Sequence, residues 1–167
     1  LPICQLDPQK RRAARSNNVA RPAIFKMLLS FKRRFAPFVE DGSKTHTIRE
    51  PRNHPINPGD RVDCYVDPRQ KGMRLLGRWA CVKVQRIEIH RNSPDQLPHI
   101  FIDGQKLHID EAAQFAWCDG FRAPGRSYLQ QMLDFWLENN RSFPWSGDLI
   151  HWDYAQPIEA PKRRTAA

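Results

Sequence analysis

The densest group of reactive side chains in the chain is Gly42-Ser43-Lys44-Thr45-His46-Thr47-Ile48-Arg49-Glu50. Hydroxyls, an amine, an imidazole and a guanidinium crowd together directly after a glycine turn. A regular strand puts Thr45, Thr47 and Arg49 on one face and Lys44 and His46 on the other. If Lys44 still belongs to the turn left by Gly42, its flexible stem swings to the Thr47 and Arg49 side. Such a cluster could grip a phosphate, a carbonyl or a base edge. The plainer reading is a strand whose polar face meets solvent.

Other residues offer chemistry more weakly. Trp117 and Phe121 flank Cys118-Asp119-Gly120 and could stack on a base, although core packing suits at least one of them. Asp119 is either a helix-end turn residue or a catalytic or base-reading carboxylate. Arg33 and Arg34 follow the first strand, as phosphate contacts or as surface charge. Trp136 belongs to an apolar stripe and reads as core, while Trp145 and Trp152 read either way. The four cysteines (Cys4, Cys64, Cys81, Cys118) form no Cys-x-x-Cys pair and the six histidines are scattered, so no zinc-type ligand set is spelled out. The cysteines read as reduced thiols in or near a core, and neither metal nor cofactor is expected.

The formal charge of +9 is unevenly spread. Residues 1–26 carry six Lys/Arg against Asp7, including Arg11 and Arg12, and the tail adds Lys162, Arg163 and Arg164 against Glu159. Between them, residues 27–91 hold 14 basic and 7 acidic side chains, and residues 92–158 hold 4 and 9. Basic runs supply the sequence-independent part of nucleic-acid affinity, although they serve equally as solvated charge. Arg11, Arg12, Arg33 and Arg34 are the candidate contacts to a nucleic-acid backbone.

The elements that must position these groups are short. Residues 1–26 lack an apolar period and read as a basic extension, with Met27 a candidate start. Leu28 to Phe31 is the first strand. Phe35, Phe38 and Val39 at helical spacing predict a short helix ending at Gly42. Thr45 to Arg49 is a strand, and Pro58-Gly59-Asp60 is a turn before the alternating Val62, Cys64 and Val66. Leu76 to Ile89 alternates again, long enough for a bent barrel strand. Ile100 and Ile102 face Leu107 and Ile109 across Asp103-Gly104, a hairpin signal. Asp110 caps a helix running from Glu111 towards Gly120. Ser127 and Gln130 make a capping box ahead of Leu129, Leu133, Trp136 and Leu137. A strand from Leu149 to Tyr154 precedes a basic tail over 157–167. The chain therefore reads as α+β: a small mixed barrel of five or six strands with two or three short helices. No apolar run approaches the length of a membrane span, and no secretory signal is evident. The expectation is a soluble, cytoplasmic protein with no membrane partner, its oligomeric state open.

The run MLLSFKRRFAPFVEDGSKTHTIRE, followed by NPGDRVDCYV, resembles the opening of an ASCH domain: a strand, a short helix, a Gly-x-Lys-Thr-x-Thr-Ile-Arg segment and a Pro-Gly-Asp turn. Asp119-Gly120-Phe121 and the strand Leu149-Ile150-His151-Trp152 are similar to the rest of that pattern. The resemblance covers about Met27 to Tyr154 and implies an ASCH domain over 27–156. It also implies a PUA-like fold and a cleft beside the Lys-Thr strand. ASCH domains are regarded as RNA-related modules. One branch comprises N4-acetylcytidine amidohydrolases, which use a Lys, a Thr and a downstream Glu. Lys44 and Thr47 fall on the first two positions. The Glu does not carry over to the helix start at Arg126-Ser127-Tyr128-Leu129.

Three functions follow as expectations. The first is a module binding RNA, another nucleic acid or a nucleotide-like small molecule, with Lys44, Thr45, Thr47, Arg49 and Phe121 lining the cleft. The second is an amidohydrolase on an acylated pyrimidine nucleoside. Lys44 would be its base, its pKa lowered by burial and by Arg49, with Thr47 orienting a carbonyl or water and Asp119 the first substitute for the missing carboxylate. The third is a non-catalytic interaction module. On sequence grounds Lys44→Ala should change stability little, since the strand's β-branched residues remain.

Overall fold

Alternation and turn chemistry set the strands of this chain, and a computed structural model describes residues 25–139 and 141–158. Arg11, Arg12, most of the basic extension and most of the tail lie outside the described residues. In chain order the elements are β1 (Lys26–Phe31), a 3-10 turn at Arg33–Phe35, α1 (Ala36–Glu40), β2 (His46–Arg49), β3 (Arg61–Val66) and β4 (Arg74–His90). Then come β5 (His99–Ile102), β6 (Gln105–Lys106), α2 (Ile109–Cys118), α3 (Tyr128–Glu138) and β7 (Trp145–Pro157). The described residues thus form a mixed α+β fold, with a seven-stranded sheet and three helices. Seven strands exceed the expected five or six because the hairpin contributes two short arms of its own, β5 and β6.

The long β4 organises the sheet. One of its sides pairs with β7, and the other with β3 and then with β5. β1 runs parallel to β3, with Leu28 opposite Asp63, and every other pairing is antiparallel. Among the described residues β1 pairs with β3 alone and β2 with β7 alone. Their outer edges stay unpaired, so the sheet is not closed into the expected barrel.

Local chemistry explains the boundaries. Val62, Cys64 and Val66 alternate inward as their spacing requires and are buried. Asp103 and Gly104 both take positive φ (50° and 79°), the backbone twist that a two-residue hairpin loop needs. Ile109, expected to continue that hairpin, instead opens α2 and is half exposed. The cap of α2 is His108 and not Asp110. Its ring accepts from the Asp110 amide at 3.5 Å, while the Glu111 carboxylate accepts from the His108 amide at 2.7 Å. Ser127 Oγ accepts from the Gln130 amide at 3.3 Å, but the Gln130 side chain turns forward to Asp134, leaving that capping box half made. Along α3, Leu129, Leu133 and Trp136 are buried with Met132, whereas Leu137 stays exposed at the edge of the stripe.

Gly42 ends the first helix with φ +77°, and a Cβ there would collide with the Tyr154 ring. Tyr154 in turn donates its hydroxyl to the Glu40 carbonyl. Cys64 and Cys81 are free and buried, as thiols of a core should be. Cys118 departs from that reading, being disulfide-bonded, because separation along the chain does not reveal which thiols a fold brings together. No helix among the described residues is long and apolar enough to cross a membrane.

Candidate functional site

Two chain corners meet beneath the sheet to make the site. At the first, the Lys44 amide donates to the Phe38 carbonyl at 2.8 Å, closing the α1 corner, and its side chain turns inward. At the second, Asp119 ends α2, its amide donating to Phe115 at 2.9 Å, and Gly120 follows with φ +103°. Arg122 staples the corners together. Its Nε donates to the Trp117 carbonyl, and its Nη1 and Nη2 donate to the hydroxyl and carbonyl of Ser43, all at 2.8 Å. The guanidinium lies 3.9 Å from the Trp117 ring centre and 4.4 Å from that of Phe38.

Lys44 Nζ donates to the Asp119 carbonyl at 2.8 Å and makes a direct ion pair with the Asp119 carboxylate. Both residues are buried. Burial pulls the Lys44 amine down from its ordinary range and pushes the Asp119 carboxyl up; their mutual attraction opposes both shifts. His46 lies alongside, its Nε2 buried without a hydrogen bond and 3.5 Å from the Asp119 carboxylate. Its ring stacks on Phe115 at 5.1 Å. Burial, with Lys44 and His151 adding repulsion, holds its pKa well below the ordinary histidine value.

Lys44, Thr47, Arg49 and Asp119 all line one cavity of about 430 Å³, within the size range of small-ligand sites. Its walls are otherwise aromatic (Phe31, Phe35, Phe135, Trp136) and polar (Ser30, Gln70, Asn139), with Lys32, Asp67 and Arg141. Arg49 donates through Nη2 to the Ser30 carbonyl and lies 5.1 Å from the Phe31 ring centre. Burial, helped by the neighbouring Arg52, lowers its pKa to about 10, so it remains cationic at neutral pH. The Thr47 hydroxyl has no hydrogen-bond partner among the described residues and is free to donate or accept. A second cavity, of about 500 Å³ between the β5–β6 hairpin and α2, is lined by exposed Lys106, His108 and Glu111, with no buried polar side chain in its wall.

Several expected site residues take other places. Thr45 precedes β2 and does not line the cavity; its carbonyl accepts from Trp152 at 3.0 Å. Phe121 is fully buried against Phe35 and Phe135, with ring centres 5.4 and 5.5 Å away, so it packs the core and cannot stack on a ligand. Trp117 is covered by Arg122. Arg33 pairs with Asp67 at 2.5 Å, and Arg34 lies exposed across Phe35 at 5.1 Å. Trp152 is core, and Trp145 carries Arg141 on its face at 4.6 Å.

No family model, curated protein or solved structure matches the chain.

Sequence reasoning missed Arg122, Lys32, Phe135, Asn139 and Arg141. The first had a signal, since it directly follows Asp119-Gly120-Phe121. The others come from separate segments that only the folded chain brings to the cavity. No group of three or more His, Cys, Asp or Glu among the described residues could hold a metal ion.

Proposed function

We propose that the cavity beside Lys44 binds a nucleotide or a nucleic-acid base, in a PUA-like module of ASCH type. The observation that carries this reading is the convergence of Lys44, Thr47, Arg49 and Asp119 on one cavity with aromatic walls. Aromatic faces suit a base, and fixed donors and acceptors suit its polar edge. The Gly-x-Lys-Thr-x-Thr-Ile-Arg resemblance points the same way, and the basic segments at both ends would add salt-dependent affinity for RNA. Calorimetric titration with the four ribonucleosides, their 5′-monophosphates and a short single-stranded RNA tests it. At least one should bind the wild type, and Thr47→Val should weaken it about tenfold or more, the scale of a lost buried polar contact. Failure of every probe to bind, or full affinity in the variant, would sink the reading.

A second reading rests on one contact. The Asp119 carboxylate meets Lys44 directly, which supports a carboxylate supplied from the end of α2 in place of the one absent near Ser127. Lys44, Thr47 and Asp119 then supply an amine, a hydroxyl and an acid for amide hydrolysis. Under this reading the protein converts N4-acetylcytidine to cytidine and acetate, and Lys44→Ala abolishes the conversion. A chromatogram with no cytidine after prolonged incubation with wild type would rule it out.

A further inference from the structure

The charged residues lining the Lys44 cavity do not balance. Lys44 is matched by Asp119, Asp67 by Arg33, and Arg141 by Glu50 at 3.3 Å. Two cations remain. Lys32 donates to the neutral amide oxygen of Asn139 at 2.7 Å, and neither it nor Arg49 has a carboxylate partner among the described residues. Arg49 is also short of acceptors. Its Nη2 is held by the Ser30 carbonyl, its Nε is buried with no partner, and its Nη1 donates to nothing among the described residues. A buried donor without an acceptor costs stability unless something else supplies one. Nε shares its edge with Nη2 and is enclosed, so Nη1 is the donor that Arg49 has left for an oxygen of an anion.

We propose that the ligand carries a phosphate monoester, held by the unused Nη1 donor of Arg49 with Lys32 closing over it from the rim. The proposal rests on the nucleotide reading of the same cavity and narrows it. Two unmatched cations fit a dianion, and a phosphate monoester carries about −1.5 to −2 charges near neutral pH. An internal phosphodiester carries a single charge and would leave one cation unmatched. The aromatic wall at Phe31, Phe35 and Phe135 is left for the base.

The test is calorimetry on the full chain at fixed salt, with the four ribonucleosides, their 5′-monophosphates and the matching dinucleoside monophosphates lacking a terminal phosphate. A 5′-monophosphate should bind at least about tenfold more tightly than its nucleoside, as charge-assisted contacts to two cations require. Arg49→Met should reduce that preference to less than threefold, and Arg49→Lys should recover part of it. Because Arg49 also tethers Ser30, Lys32→Met provides an independent arm. Lys32 is exposed, and this change should cut the preference without altering thermal unfolding. Equal binding of nucleoside and monophosphate overturns the proposal while the nucleotide cavity survives. Equal binding of the dinucleoside overturns it in favour of a polynucleotide backbone. An undiminished preference in both Arg49→Met and Lys32→Met overturns it too, and no binding by any probe removes the proposal and the reading beneath it together.

Discussion

Among the described residues two carboxylates are buried beside cations, Asp119 at the cavity and Asp63 on β3, and their surroundings differ in kind. Asp63 has no side-chain exposure, and cations from three strands close on it. Arg61 of the same strand forms a fork at 2.8 and 3.1 Å, Arg78 of β4 approaches to 3.3 Å, and Lys26 of β1 to 3.5 Å. These cations reach outward, with 25, 19 and 59% of their side chains exposed. Asp119 has one lysine, itself 97% covered, and a cavity in place of more protein. The first arrangement fastens β1, β3 and β4 together. The second holds polar groups in a low-dielectric pocket where a ligand could meet them. What separates the two carboxylates is therefore the open volume and unused donors beside Asp119, not the burial of charge.

Substitution of Lys44 should break this contrast most sharply. Lys44→Met strands a buried carboxylate, and a loss of about 3 kcal/mol in denaturant unfolding at pH 7 is expected, limited because Asp119 can take up a proton. Adding Asp119→Leu should restore most of that stability while leaving ligand binding absent, since an apolar pair often replaces a buried ion pair without penalty. A double variant as unstable as the single one would show that the pair is not the source of the loss.

Asp63→Ala should cost less, about 2 kcal/mol, because the partly exposed Arg61 and Arg78 regain water as they lose their acceptor. Ligand affinity at the cavity should stay within twofold. A variant that folds normally yet loses binding would erase the distinction between the clusters.

Acid should act through the histidines between and behind these clusters. Burial, reinforced by Lys83, lowers the His151 pKa to about 4, and His46 is shifted in the same direction. Both are neutral in the fold while the unfolded chain protonates near pH 6.5, so the unfolded state binds more protons below that pH. Stability is therefore full above about 6.5 and is lost as pH falls towards 4. Roughly 1–2 kcal/mol should disappear between pH 7 and 5 through His151, with His46 acting in the same direction. Thermal melts of His151→Asn should flatten this slope; an unchanged slope would exclude His151 as a contributor.

The smallest effect belongs to α3. Ser127→Ala removes one cap hydrogen bond and should lower stability by about 1 kcal/mol without touching either carboxylate. A denaturation midpoint equal to that of wild type would show that the half-made capping box contributes nothing.

Local chemistry was legible in the chain. Alternation placed β3 and the core of β4, Asp103-Gly104 placed the hairpin, and Gly42 let Lys44 leave the turn towards Thr47 and Arg49. Long-range pairing was not. Nothing near Asp63 signalled that three strands would converge on it, and Phe121 could equally have faced a ligand or the core until α3 covered it with Phe135. The expectation that Lys44→Ala is mild left out the buried partner Asp119, which lies 75 residues away and argues for a large loss instead. The search for a carboxylate near Ser127 followed the order of the resembled pattern. The carboxylate that meets Lys44 is that of Asp119, at a helix end.

Gly42 restricts how this sequence can change. The Tyr154 ring occupies the space of a Cβ at that position, and φ +77° strains any side chain there whatever the space. The turn carries Lys44 to Asp119, and a crowded corner would lift the amine out of reach. Loss of the Tyr154 ring would relieve the clash but not the left-handed backbone, so a change at 42 stays costly even then. Backbone conformation and a ring from far along the chain thus hold the same corner twice over.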